Sequence, residues 1–503
     1  MDNIRKININ EMPKGFKLFL AFLPVLGFFL IDMSLDNDFY FLYPTGQYIV
    51  ENGFPVKDFL SMHINMNIIV QQWLTDVIFY FIYSKLGLAG MLAFVSLCYI
   101  AFCFVMYKLL MLITENHFIS CAVAFFADIV MAVMFMVTRP QAITVILIAL
   151  EIYCLEKYVK SKSIKPLFVL PFISLLIINL HCSMWLMMFV FALPYVAAAI
   201  PFNFKKIKQE PCCKLLPLII CGAVCFALGF ANPYGLKAMT YIFSSFGIKD
   251  FNSNIVEMLP PSISSSAGKV YFPLLFVMLA IIIALRKNNF TTRFVLLFAG
   301  TALLGLMNVK SIAYFVIGSA AAFSYYIKDC SFTLNITEGK RTKKEKRNFI
   351  LIIALTLAIT GGVLGYVVMN PMEPVNNEEE ETTSSYEDMD KICDILKTEK
   401  DEIILYAGFN YGQYMEFKGY HPYIDGRAEL FLEKNNGEFD YFSEHMDVKN
   451  GREYYKDFLD KYGFNYIIVD KETEEILETS LSRDGDYEEL YSSESTSLYK
   501  LKS

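Results

Sequence analysis

"IIVQQWLTDVIFYFIYSK", residues 68–85, is the stretch on which the topology of this chain turns. It sits among many hydrophobic runs, yet Gln71, Gln72, Trp73 and Asp76 crowd its first half. A helix crossing the roughly 30 Å hydrocarbon core needs about 20 mostly apolar residues, and polar side chains at that depth are costly. The stretch is too short and too polar to cross comfortably. It reads instead as a juxtamembrane helix lying in the headgroup layer, where its aromatic rings are at home.

Charge placement tests this reading. About twelve apolar runs lie between Phe16 and the neighbourhood of Val368. If all of them crossed, the lysines of "KYVKSKSIK" (Lys157, Lys160, Lys162, Lys165) and the "KKEKR" block from Lys343 to Arg347 would fall on opposite sides. Basic loops collect on the cytoplasmic side. With 68–85 left out of the count, about eleven spans remain, the N-terminus is inside, and the inner segments hold roughly 23 Lys/Arg against about 7 outside. Residues 36–87 then form one long outer loop with two juxtamembrane helices, "FYFLYPTGQYIVE" and the stretch quoted above.

Composition supports a membrane protein. The chain has 503 residues, 55% of them hydrophobic, and a mean hydropathy of +0.41. The first apolar run lacks a small-residue cleavage site and reads as a retained span. The net charge of −7 hides a split, because the part after Asn370 carries about 33 acids against about 14 bases. Nucleic acid is therefore not an expected partner. The cysteines lie mostly inside apolar runs and show neither a disulfide framework nor zinc spacing. "NIT" at Asn335 matches a glycosylation acceptor but falls on the expected cytoplasmic side.

On this topology the uncommon polar residues gather at the outer ends of spans: Asp36 and Asp38 after the first, Arg139 in "TRPQ", Asn179 and His181 in "NLHCSMW", Asn232 in "ANPYG", Asn308 and Lys310 in "MNVKSIAYF". Such convergence points to a shared polar cavity facing outward. Each residue also has a plainer reading. The aspartates can cap the next helix, Arg139 can snorkel to headgroups, His181 can pack, Asn232 beside Pro233 and Gly235 is a turn signal, and Lys310 can mark a helix boundary.

Residues 371–385, rich in glutamate, read as an acidic linker, and 386–503 as a small extracytoplasmic α/β domain. Its expected elements are a helix in "SYEDMDKICDILKTE", a strand in "EIILYA", a helix in "GQYMEFKG", a strand in "HPYID", a helix in "REYYKDFLDKYG", a strand in "NYIIVD", a helix in "TEEILETSLS" and two final strands in "YEELYSS" and "TSLYKLK". Asp425 and Arg427 in "DGR" put a carboxylate and a guanidinium at a strand end, where they either fix the loop or face a ligand.

These pieces together resemble bacterial multi-span glycosyltransferases of the GT-C type, related in plan to lipid-linked mannosyl- and aminoarabinosyltransferases. The matching motifs are "DND", then Gly46, "P..DF.S" (Pro55, Asp58, Phe59, Ser61), "QWL" at Trp73, "RPQ", "NLH", "NPYG", and in the tail "YG.Y" followed by "DGR". The resemblance implies a GT-C-like transmembrane domain over 1–370 that passes a sugar from a polyprenyl-phosphate carrier in the membrane to a glycan, lipid or protein acceptor at the outer face. It implies Asp36 or Asp38 as general base, and Arg139 and Lys310 at the leaving phosphate. Asn179, His181, Asn232, Tyr411, Asp425 and Arg427 would bind substrate. The sequence names no cofactor and leaves metal need open, with a divalent cation as the candidate. The tail is similar to the soluble domain of oligosaccharyltransferases, but "GFNYG" lacks the tryptophans and aspartate of their "WWDYG", which argues against a peptide acceptor. "FYFLY" carries no histidine, Cys182 follows "NLH" where glycine is usual, and Lys310 stands where arginine is common. A transporter of lipid-linked saccharide and a non-catalytic assembly protein of the same plan are the alternatives.

Overall fold

The computed structural model describes residues 6–8, 14–204, 207–244, 255–286, 288–329, 333–335 and 379–502. The expected last span (348–369) and the first part of the linker (371–378) lie outside the described residues. The chain is mostly helical. Its membrane part contains α1 (Lys14–Phe22), running into a 3-10 segment over Leu23–Leu30, then α2 (Phe39–Asn52), α3 (Trp73–Thr114), α4 (His117–Met134), α5 (Gln141–Ser161), α6 (Leu170–Leu180), α7 (Trp185–Ala199), α8 (Leu215–Leu228), α9 (Ser266–Leu285), α10 (Thr292–Met307) and α11 (Ile312–Ile327).

Among the described residues four helical segments are long and apolar enough to cross a membrane: Trp73–Thr114, His117–Met134, Cys182–Ala199 and Ser266–Leu285. Others, such as Leu215–Leu228 and Thr292–Met307, are apolar but shorter. The expected count of about eleven is therefore not reached by length. Helix α11 is apolar and buried on every side from Ile312 to Phe323, which marks it as the central helix of the bundle.

Hydrogen bonds gather the helix ends at two poles. At one pole Lys160 Nζ donates to Leu112 O at 2.8 Å, Lys162 Nζ to Cys212 O at 2.6 Å, Tyr158 Oη to Lys214 O at 2.7 Å and Asn288 Nδ2 to Tyr325 O at 2.9 Å. At the other, Thr75 Oγ1 donates to Leu180 O at 2.8 Å, Trp73 Nε1 to Asn179 Oδ1 at 2.8 Å, Cys182 N to Gln71 O at 2.8 Å and Val309 N to Leu259 O at 3.0 Å. Lys6–Asn8 pairs antiparallel with Thr333–Asn335, so the N-terminal segment and the segment after α11 lie side by side.

Residues 68–72 precede the helix that the opening stretch contains. Ile68 N donates to Val56 O, and helix begins only at Trp73. The helix then continues into the following apolar run, broken at Gly87, whose φ of 57° and ψ of −152° suit a residue without Cβ. The first half of α3 packs closely on α2: a Cβ on Gly46 would clash with the Asp76 carbonyl oxygen.

The tail comprises α12 (Glu379–Leu396), β1 (Leu405–Ala407), α13 (Gly412–Phe417), α14 (Tyr441–Lys449), α15 (Tyr455–Tyr462), β2 (Tyr466–Asp470), α16 (Glu475–Leu481), β3 (Tyr487–Ser492) and β4 (Thr496–Leu501). Helix α12 begins inside the stretch read as linker. The sheet has the order β1-β2-β4-β3, with β1 and β2 parallel and the other pairs antiparallel. Two expectations differ. "HPYID" is not a strand, because its backbone is spent on the outer loop: Met62 N donates to Pro422 O at 3.1 Å, and His421 Nδ1 lies 2.8 Å from Leu60 O. Helix α14, capped by Asp440 Oδ1 accepting from Ser443 N at 2.9 Å, was missed.

The tail docks on the first long loop through two shared apolar cores. One joins Ile49, Met66, Ile68 and Val70 to Tyr423, Phe431 and Phe464. The other joins Phe39, Tyr40, Phe41 and Phe79 to Met389, Tyr414, Met415 and Leu498. Rings interlock edge to face where they meet, as between Tyr40 and Tyr414 at 4.8 Å and between Tyr43 and Phe417 at 5.5 Å. Loop and tail therefore share one pole.

Candidate functional site

Between the docked tail and the helix ends lies a cavity of about 880 Å³. Asp38, Arg139 and Lys310 from the membrane part and Arg427 from the tail all line it.

Arg139 belongs to the irregular connection between α4 and α5, whose chain turns at Pro140. Its Nε lies 2.5 Å from Asp36 Oδ1 and 3.2 Å from Asp38 Oδ2, and its Nη1 pairs with Glu257. Asp36 is buried, held by its own N–H donating to Thr138 Oγ1 at 2.7 Å, and its Oδ1 also accepts from Asp38 N at 3.0 Å. Asp36 thus orients both the arginine and the start of α2. Asp38 stays a third exposed. Burial, opposed by Arg139 and reinforced by Asp36 and Glu257, pushes the Asp38 carboxyl up to about 7. Glu257 goes the other way. Although burial would raise it, Arg139 and then Lys310 hold it below the usual carboxylate range. Lys310 acts on Asp38, Glu257 and Glu429 through its charge but makes no direct ion pair among the described residues.

A second arginine cluster forms the tail's side of the cavity. Arg427 Nη1 donates to Asp58 Oδ1 at 2.6 Å, its Nη2 to Asp425 Oδ2 at 2.5 Å and to Glu416 Oε1 at 3.0 Å. Asp58 also accepts from Ser61 N at 3.0 Å and Ser61 Oγ at 2.6 Å. Burial opposes charge on all of these groups, yet the ion pairs hold Asp58 below its usual value and Arg427 well above. Glu416 is pushed well up, first by burial and then by Asp425. The motifs "DF.S" and "DGR" meet here, and the pair inside "DGR" fixes its loop while the same guanidinium clamps loop to tail.

The remaining sequence candidates stand apart from the cavity lining. Asn179 accepts from Trp73 and donates to Leu175 O and Ala231 O at 2.9 and 3.0 Å, tying three helix ends together. His181 Nδ1 lies 2.9 Å from Thr144 Oγ1. Asn232 closes the turn of "ANPYG", donating to Gly229 O and Gly235 O and accepting from Tyr234 N. Tyr411 Oη accepts from Thr496 Oγ1 at 2.9 Å, and Asp425 reaches the cavity only through Arg427.

Glu257 was missed in the sequence. It is a lone acid in the outer segment "NIVEMLPP", next to prolines that mark an irregular loop, and that isolation was the available signal. The tail adds a buried chain in which Tyr406 Oη donates to Glu474 Oε1 at 2.5 Å and lies 3.1 Å from His445 Nδ1. His445 lines the cavity, and burial drives its imidazole down to about 3, so it stays neutral. A divalent cation does not fit the acids of the first cluster, because Asp36, Asp38 and Glu257 already converge on a guanidinium. Among the described residues no group of three or more His, Cys, Asp or Glu is placed to hold a metal ion.

No family model matches the chain, and no curated protein matches it. Among solved structures it is similar to an oligosaccharyltransferase of Archaeoglobus fulgidus. One crystal structure of that protein, tethered to an acceptor peptide containing the NVT sequon through a disulfide bond, is 13% identical with a TM-score of 0.49 over 97% of this chain and 74% of that one. Its apo form is 11% identical with a TM-score of 0.47 over 97% and 75%. At these scores the likeness assigns no chemistry to this chain.

Proposed function

We propose that the protein is a membrane glycosyltransferase that passes a sugar from a polyprenyl-phosphate carrier to an acceptor in the cavity, at the outer face of the membrane. The observation that carries this reading is that Asp38, Arg139 and Lys310 line one cavity, with Arg139 paired to Asp36, Asp38 and Glu257. A carboxyl whose pKa lies near 7 is matched to general-base work. The acceptor hydroxyl attacks the anomeric carbon and gives its proton to Asp38. The bond from that carbon to the phosphate oxygen breaks, and its electron pair leaves with the polyprenyl phosphate, whose charge Lys310 meets. The basic pole, by the positive-inside rule, is cytoplasmic, which puts cavity and tail outside.

The test is transfer from polyprenyl-phosphate sugars by the purified protein. Asp38→Asn is expected to lower turnover by about 10²- to 10⁴-fold with expression unchanged, and Lys310→Met to weaken use of the donor. Wild-type turnover in Asp38→Asn removes the assignment.

One observation favours a transporter of lipid-linked saccharide as the second reading. Asp128 in α4 and Glu151 in α5 are fully buried within helices, and buried acids in membrane helices mark transport paths in many proteins. Loss of lipid-linked saccharide movement in Asp128→Asn with Glu151→Gln, with Asp38→Asn harmless, would favour it.

A further inference from the structure

The pole opposite the cavity carries two adjacent cysteines that sugar transfer does not use. Cys212 and Cys213 lie in the connection between α7 and α8, with their sulfurs 3.6 Å apart. Among the described residues Cys212 is the one cysteine that is not buried. Its backbone is built into the pole. Cys212 N donates to Ala198 O in α7 at 3.0 Å, and Cys212 O accepts from Lys162 Nζ, just beyond α5, at 2.6 Å. Tyr158 Oη of α5 donates to the next carbonyl but one, Lys214 O, at 2.7 Å.

The two sulfurs are not equivalent. When Cys212 ionises, its sulfur accepts from the Cys213 S–H, and this bond draws the Cys212 thiol down to about 7. Burial and Glu156 oppose the shift, while the charges of Arg293 and Lys162 assist it. Cys213 is pushed up by the same bond and by burial. At neutral pH about half of Cys212 is therefore thiolate, the form that attacks an oxidant, and a protonated thiol stands beside it.

Geometry limits what the pair can form. Consecutive Cα atoms are about 3.8 Å apart across a trans peptide, whereas a relaxed disulfide spans about 4.4 to 6.8 Å. A bridge between neighbours is strained, and strained bridges are the readily reduced ones. Closing it twists the peptide between the two residues, whose carbonyl Lys162 holds.

We infer that Cys212 and Cys213 form a peroxide-sensitive dithiol that closes reversibly to a vicinal disulfide. The Cys212 thiolate attacks one oxygen of hydrogen peroxide, the O–O bond breaks, and the departing oxygen takes up a proton to leave as water once Cys212 holds a sulfenic acid. Cys213 then gives up its proton and attacks that sulfur; the S–O bond breaks and a second water leaves. In sum two thiols lose two hydrogens to form the S–S bond, and one peroxide is reduced to two waters. Two molecules of glutathione reopen the bridge by exchange and depart as their own disulfide. On the topology given above this pole faces the cytoplasm, where thiols are kept reduced, so the dithiol is the resting form. None of this depends on the transferase reading.

Peptide mass spectrometry on the full chain in detergent tests the inference. In the reduced, folded protein at pH 7, iodoacetamide should label Cys212 at least about tenfold faster than the buried cysteines. After hydrogen peroxide, with the remaining thiols alkylated in denaturant, the peptide holding residues 212 and 213 should be two hydrogens lighter and carry no alkyl group. Glutathione added before the alkylation should restore both thiols. Cys213→Ser should stop at a sulfenic acid on Cys212, trapped by dimedone, and Cys212→Ser should leave Cys213 a thiol; the wild-type readings stand without either variant. Equal labelling of Cys212 and the buried cysteines, both thiols still open after peroxide, sulfonic acid on Cys212, pairing with a different cysteine, or a bridge that glutathione does not reopen each overturns the inference.

Discussion

Two arginines in this protein each gather three carboxyl groups, and they do opposite things with them. Around Arg427, the side chains of Asp58, Glu416 and Asp425 are all 0% exposed, and the cluster ties a loop near the start of the chain to the tail. Around Arg139, Asp36 is buried but Asp38 remains a third exposed and borders the cavity. Enclosure makes the first cluster a clamp. The open edge of the second leaves one carboxyl able to exchange a proton. The lesson is that the side chains present, an arginine and three acids, do not set the role; access to the cavity does.

The comparison can be broken in three ways, the largest effect first. Arg427→Met leaves Asp58 and Asp425 buried without their cation, and uncompensated buried charge costs about 3 to 5 kcal/mol. The tail should then loosen from the loop, read as a lower melting temperature and as faster amide exchange in residues 58–66 and 421–427. Unchanged melting would mean that the cluster clamps nothing.

Gly46→Val reaches the other cluster through α2. The added side chain pushes α2 off the Asp76 carbonyl, and overpacking of this kind costs about 1 to 3 kcal/mol. Because Asp38 stands at the start of α2 and the same helix carries Phe39, Tyr40, Phe41 and Ile49 of the shared cores, transfer should fall, and exchange at 421–427 should rise by less than in Arg427→Met.

The third is pH. As a base, Asp38 must be ionised, so activity should fall about tenfold per unit below about pH 7. Stability follows the linked rule. A carboxyl raised from 3.8 to about 7 binds its proton more tightly when folded, so its contribution is full below 3.8 and is lost as pH rises through about 7. Asp38→Asn should therefore raise the melting temperature at pH 8 relative to the parent protein and change it little at pH 4. An equal change at both values would mean that Asp38 has an ordinary carboxyl.

Much of this architecture could be read from residue patterns because it follows from local rules. Long apolar runs gave the helices, and alternation and caps gave most of the tail. The grouping of Asp38, Arg139 and Lys310 followed from where basic loops lie. What could not be read depends on contacts far apart in sequence. Arg427 meets Asp58 across 369 residues, and "HPYID" gives up its strand because the outer loop takes its backbone. Asn179, His181 and Asn232 carried the same polar signal as the cavity residues but spend it on joining helix ends. Asp128 and Glu151 were hidden for the opposite reason, since one acid barely lowers the hydropathy of a long apolar run.

The clamp between Asp58 and Arg427 also sets an order of events during synthesis. At about 5 to 20 residues per second, the 369 positions between them take roughly 20 to 70 s to appear, and every intervening helix is made in that interval. Asp58 waits all that time without its cation. A chain cut short anywhere in the membrane part would lack Arg427 and never close over the hollow.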